Sequence, residues 1–364
     1  MTGDFCFARS KAGFTLLELM VTMAIMLLLV VVLAAITNAT QRTWAYTTGK
    51  VEQFRGAREA FESMTRRLSQ ATLNTYWDYH YPAGSTQPDR YMRQSELRFI
   101  CGNLNAMTST STYTNFPSQA IFFQAPLGYV NNTSYSNLYN LLNTWGYFVE
   151  FGSDKAWYPS FISSLPNPPP QRYRFRLMEM MEPSESLTLY NSEAAVGNAN
   201  YVSTDWFTTP LASTSDVQVV TDNIIALVLL PKLTPEEDST GTTLSPNYSY
   251  NSVKTDANND PIVSAATDWK NQLPPEVQVT MVAVDEASYK RFQGSSTTMP
   301  NLLVDSGGNP LFQQAGDLVN SSNPGYARDI QALQATLVKD KLNYRVFSTN
   351  VSLKAAKWSR DQTN

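Results

Sequence analysis

The chain predicts an α+β protein: a long N-terminal helix, its first half membrane-spanning, packed by its second half against an antiparallel β-sheet head. Three observations carry this. Residues Phe14–Ile36 form a 23-residue run in which Glu18 is the single charge. Residues 37–75 continue helical and become amphipathic. The remaining 76–364 carry short aromatic and β-branched runs bounded by Pro, Gly, Asn and Ser, the pattern of strands.

At roughly 1.5 Å per residue the apolar run covers the roughly 30 Å hydrocarbon core of a bilayer. Arg9 and Lys11 precede it, followed by Gly13 and Phe14. A secretory signal peptide would have a shorter apolar core, although Thr37-Asn38-Ala39 could pass for its cleavage site. A plain anchor fits the length but leaves Glu18 unexplained, because a carboxylate in an apolar helix is costly and marks a specific partner. No Lys or Arg occurs between Phe14 and Gln41, so the helix itself offers Glu18 no cation.

A third reading comes from Gly13-Phe14-Thr15-Leu16-Leu17-Glu18, which resembles the N-terminus of type IV prepilins and type II secretion pseudopilins. The resemblance implies a leader, residues 1–13, cut by a prepilin peptidase between Gly13 and Phe14. It implies N-methylation of the new Phe14 amine, and a role for Glu18 in assembly, paired with that amine in its own chain or a neighbour's. Many major pilins have a proline part-way along this helix. Here none occurs between Phe14 and Tyr81, so no proline kink is expected.

Composition agrees with export. Charged residues are 16% and the net charge is −4, or −5 without residues 1–13, which argues against a nucleic-acid grip. Cys6 lies in the leader, leaving Cys101 alone with no internal disulfide and the character of a small core residue. About 290 residues beyond the helix suffice for a substantial core.

In the second half of the helix, Trp44, Val51, Phe54, Phe61, Met64 and Leu68 share a face, while Arg55, Glu59, Glu62, Arg66 and Arg67 mostly occupy the others. Gly49 and Gly56 weaken it by about 1 kcal/mol each. A single helix from Phe14 to Asn74 would be roughly 90 Å long; the alternative is two helices broken near Thr37-Asn38. The aromatic cluster Tyr76–Pro82 ends it.

Strands are expected at Ser95–Ile100, Gln119–Gln124, Gly146–Phe151, Arg172–Met178 and Ser186–Tyr190. Arg172, Arg174 and Arg176 alternate with Tyr173, Phe175 and Leu177, which reads as a solvated basic face. Asn131–Asn143 is a polar insertion and Pro166–Pro170 an extended spacer. Asn223–Pro231 is the strongest strand, buried on both faces. Beyond the polar insertion Thr234–Leu273 it pairs with Glu276–Val284. Short helices follow at Asp285–Phe292 and Asp329–Leu342, and Tyr344–Leu353 closes the domain.

A second resemblance spans much of the chain. Gly49–Arg55, Arg66–Tyr79, Arg93–Leu97, Leu229–Leu233 and Tyr344–Thr349 look like the Verru_Chthon cassette protein C family, which is similar to minor pseudopilins and is encoded beside other prepilin-like proteins.

Sites of other chemistry are sparse. His80 is the single histidine, which excludes a multi-histidine metal centre. Asp256, Asn258 and Asp260 spell the start of a calcium loop, but Pro261 and Thr267 stand where an EF-hand needs glycine and an acid. A looser calcium site there is the weak metal candidate. Glu179, Glu182, Glu185 and the run Glu236-Glu237-Asp238 read as solvated acids rather than a hydrolase pair. The expectation is therefore a non-enzymatic, cofactor-free subunit of a pilus- or secretion-type filament. It sits single-pass in the cytoplasmic membrane with its head in the periplasm, and its partners are a prepilin peptidase and other prepilin-like subunits. The rival is a membrane-anchored surface protein whose Tyr/Asn-rich loops bind glycan or another cell, hydrolase activity included.

Overall fold

The computed structural model describes residues 15–81, 85–108, 114–163, 165–189, 204–239, 243–253, 271–316 and 325–357. It divides into two compact units, 1–53 and 54–364. The first contains helix α1 (Leu16–Gln53), which runs through Thr37-Asn38 without a break. Leu16–Asn38 is long and apolar enough to cross a membrane, and none of its side chains is buried.

The second unit begins with α2 (Arg55–Leu68). The expected single helix to Asn74 is thus corrected twice. Phe54 leaves helical geometry at φ −103° and ψ 5°, beside the poor helix former Gly56, and α2 stops at Leu68. Beyond it Thr72 donates to the Gln124 carbonyl, so sheet pairing takes over the backbone. The stripe is real: Ala57, Ala60, Phe61, Met64 and Leu68 are buried, with Phe54 packed at its edge.

Eleven strands are present among the described residues. β1 (Tyr76–His80) and β2 (Arg90–Gln94) form a two-stranded ribbon. β3 (Phe99–Asn103), β4 (Gln119–Pro126), β5 (Leu142–Ser153), β6 (Tyr173–Glu182), β7 (Val217–Asp222) and β9 (Tyr250–Asn251) make an antiparallel sheet in the order β7-β6-β5-β4-β3-β9. β8 (Ile224–Lys232), β10 (Glu276–Val284) and β11 (Tyr344–Ser352) form a second antiparallel sheet, ordered β11-β10-β8. The expected pairing of the Asn223 and Glu276 segments is observed, and Ile224–Pro231 is buried throughout.

Both faces of the larger sheet are covered. Trp145, Tyr147, Val149 and Phe151 enter one core with α2 and the smaller sheet. Phe122, Phe148, Met178 and Met180 enter another with Trp206 and Phe207. These last two lie on α5 (Asp205–Leu211), which follows α3 (Leu104–Thr108) and α4 (Ser160–Ser163) in the chain. Gly146 is required here, since a Cβ would stand 2.3 Å from the Phe122 ring, itself stacked at 4.6 Å on Phe207. Helices α6 (Glu286–Gln293), capped by Asp285, and α7 (Gly325–Lys339) match the two expected near the C-terminus.

Three strand expectations need correction. Ser95–Arg98 is a turn, because the Asn74 side-chain oxygen accepts from Ser95 Oγ and from the Glu96 and Leu97 backbone N–H groups. Ser186–Tyr190 contains no strand among its described residues: Pro183 lacks an N–H to continue β6, and Ser184–Ser186 is a 3-10 turn. The aromatic stretch after the helix is strand β1.

Nor is the arginine face of β6 solvated. Arg176 is buried and meets Asp222 at 3.3 Å, while Arg174 contacts both Asp222 (3.0 Å) and Glu286 (3.1 Å). The reason is the corner at Asn223 (φ 61°), where the chain leaves β7 in one sheet and enters β8 in the other. Strand alternation cannot register a face that a later segment covers.

Candidate functional site

Thr15 and Glu18 build the N-terminus of α1 as a capping box. The Thr15 backbone N–H donates to Glu18 Oε2 at 3.1 Å and the Thr15 hydroxyl donates to the same oxygen at 3.0 Å. In return the Glu18 backbone N–H donates to Thr15 Oγ1 at 3.3 Å. This is the T-x-x-E arrangement in which a cap hydroxyl and the third helical residue satisfy each other's orphan donors, with the carboxylate at the positive end of the helix dipole. Sequence reasoning looked for a cation and missed this neutral partner, although the spacing Thr15-x-x-Glu18 was legible. The carboxylate is therefore held in place by its own chain and stays exposed at the head of the apolar helix.

Within the span Leu16–Asn38 the two further hydroxyls are also satisfied internally. Thr22 Oγ1 donates to the Leu19 carbonyl at 3.0 Å and Thr37 Oγ1 to the Leu33 carbonyl at 2.8 Å. That leaves Glu18 as the charge of the span Leu16–Asn38. Gly13 and Phe14 lie outside the described residues, as do Asp256, Asn258 and Asp260. Among the described residues no group of His, Cys, Asp or Glu is arranged to hold a metal ion.

Of the acids read as solvated, Glu179, Glu182 and Asp238 are buried, the last accepting from the Thr243 backbone N–H at 2.9 Å. Glu179 accepts from Trp145 Nε1 at 2.8 Å, from the Tyr147 hydroxyl, and from Arg67, whose guanidinium also donates to Tyr147 at 3.1 Å and lies 4.8 Å above the Trp145 ring. Desolvation works against the Arg67 charge, but Tyr147 and Glu179 outweigh it and raise its pKa; burial and then Glu179 push the Tyr147 hydroxyl up. The cluster fastens α2 to β5 and β6. Its signal was legible, since Glu179 falls in the apolar register of Leu177 and Met181.

Glu182 is also buried and accepts from the Thr188 backbone N–H at 2.8 Å. Three residues along an extended strand put Glu179 and Glu182 on opposite faces, so the sheet stands between them and they do not share a cleft. Glu185 remains exposed and accepts from the backbone N–H groups of Asn131 and Asn132, both at 2.7 Å. It thereby pins the Tyr/Asn-rich insertion, at whose tip Tyr139 is 77% exposed. His80 lies in β1, opposite Arg90. Cys101 is fully buried, and burial pushes its thiol up, as suits a packed core residue.

Comparison with known proteins finds the Prokaryotic N-terminal methylation motif over residues 8–34, a span that contains Gly13, Phe14 and Glu18. No curated protein and no solved structure matches the chain. The N-terminus is therefore of the prepilin type. It implies processing by a prepilin peptidase, membrane anchoring through the apolar helix, and assembly with other pilin-like chains.

Proposed function

We propose that this prepilin-type precursor matures into a non-enzymatic, pseudopilin-like subunit of a type IV pilus or type II secretion-like filament. The reading places it in the Verru_Chthon cassette protein C family on the stretches quoted above. It also sets the head in the periplasm, with one pass through the cytoplasmic membrane. The observation that carries it is a methylation-motif N-terminus on an exposed apolar span, Leu16–Asn38, whose single charge is pre-positioned at its head. An isolated carboxylate in lipid costs several kcal/mol, so a cationic partner such as the freed Phe14 amine of a neighbouring chain stabilises the assembled state.

Mass spectrometry of the mature N-terminus tests the first half: the reading requires Phe14 as first residue, N-methylated, and an intact Met1 or a start at residue 40 refutes it. Glu18→Ala tests the second. Membrane insertion and leader cleavage should persist, while cross-linking to neighbouring prepilin-like subunits should fall. Association at wild-type levels would reduce the stretch to an ordinary anchor.

A further inference from the structure

The head contains a cleft of about 660 Å³ where the rim of β5 meets the segments after α3, α5 and α6. That volume lies inside the range of about 300–1,000 Å³ of small-ligand sites. Phe116, Trp157 and Tyr173 supply half-buried aromatic surface to it, and Phe116 is braced against Phe148 at 5.3 Å. Asn115, Ser213 and Thr298 supply neutral polar groups. One carboxylate lines it, that of Glu150.

Glu150 stands opposite Arg176 across the β5–β6 ladder, with its carboxylate left open to the cleft. Among the described residues it accepts no hydrogen bond and forms no ion pair. Burial pushes its carboxyl up, with Arg176 pulling the other way. Arg176 gives its Nε to Asp222 and its Nη1 to the Gly152 and Ser153 carbonyls, while its buried Nη2 makes no hydrogen bond among the described residues. A partly desolvated acceptor with free lone pairs, among aromatic walls, lacks donors that a ligand can bring.

The chemistry of those donors can be narrowed. A Cβ on Gly152 would lie 3.5 Å from Glu150 Oε1 and 3.8 Å from Arg176 Nη1, so carboxylate and guanidinium border the same spot. A cationic amine brought to Glu150 would meet Arg176 as well, and that repulsion disfavours it. A purely apolar ligand would leave the carboxylate buried and unpaired. A neutral polyhydroxylated ring satisfies both constraints, with hydroxyls donating to Glu150 and its C–H face lying on an aromatic ring.

We propose that this cleft binds a neutral saccharide, with Glu150 as the hydroxyl acceptor and Trp157 as the stacking platform. The site is separate from the Tyr/Asn-rich insertion, and the proposal stands independently of filament assembly. The test is a neutral-glycan array probed with the full chain in a detergent that has no sugar head group, followed by saturation-transfer NMR titration of the retained saccharide. Trp157→Ala and the shape-conserving Glu150→Gln should each weaken binding by about tenfold or more while melting temperature holds, the loss expected for one stacking or charge-assisted contact. Failure of the whole array to bind, or binding equal in both variants, overturns the assignment. Displacement of the saccharide by spermidine also overturns it, in favour of a cation site.

Discussion

Arg67 brings a charge into an interface that is otherwise carbon, and Glu179 answers it from a strand 112 residues away. Removing the arginine alone leaves Glu179, 8% exposed, with Trp145 and Tyr147 but no cation. Arg67→Met should therefore cost about 1–3 kcal/mol in urea unfolding, toward the lower end because the Arg67 side chain is 33% exposed and water screens it. Adding Glu179→Gln should restore part of that, and strictly additive losses would show that the two do not interact. Glu182 offers the opposite experiment. Burial raises its carboxyl above the usual 4.5, so the folded state holds the proton better than the unfolded one. The stabilising contribution is complete below pH 4.5 and is lost as pH rises through the folded pKa. Glu182→Gln keeps an acceptor for Thr188 and should raise the melting temperature at pH 8 but hardly at pH 4. An equal rise at both would mean that the carboxyl is not the cause.

Helices and strands differ in how far they announce themselves. The apolar run, the stripe Phe61-Met64-Leu68 and the β8–β10 pair were legible because each has a strong period or a long apolar run. The break at Phe54 had only Gly56 to hint at it, and the turn at Ser95–Arg98 and the corner at Asn223 were not legible, since partners distant in sequence, Asn74 and Glu286, set them. At the site, Gly13, Phe14 and Glu18 could be read from one short motif, whereas the cleft draws residues from 115 to 299. The ribbon β1–β2 keeps its aromatic side chains in water. Trp77, Tyr79 and Tyr91 share a face, with the two tyrosine rings 4.7 Å apart and Arg93 over Trp77, yet all three aromatics are 48–57% exposed. Arg93 and Gln94 at the end of β2 are buried, but a two-stranded ribbon whose aromatic rings face water is marginal. Hydrogen exchange should show β1 and β2 amides exchanging well before those of β5 and β6, which are covered on both faces. Equal protection would mean that the ribbon is stabilised by something beyond its own pairing.

For the molecule as a whole, the division at Gln53 and Phe54 predicts that the head is an independent folding unit. Its first helix buries Ala57, Phe61, Met64 and Leu68 against strands of the same unit, and Cys101 needs no partner. Residues 54–364 made alone should be soluble, cooperative in unfolding and indifferent to reducing agent, with Cys101 unreactive toward thiol reagents until denaturant is added. A molten aggregate would place part of the core in the first unit. That core is closed by the last strand. Phe347 of β11 packs on Phe61 of α2 at 5.8 Å between ring centres, and the Lys354 N–H reaches the Ser69 carbonyl at 3.1 Å. The two ends of the head thus validate each other. A product truncated before Tyr344 would lack the ring that covers Phe61 and leave the greasy side of the head's first helix open to proteases and chaperones.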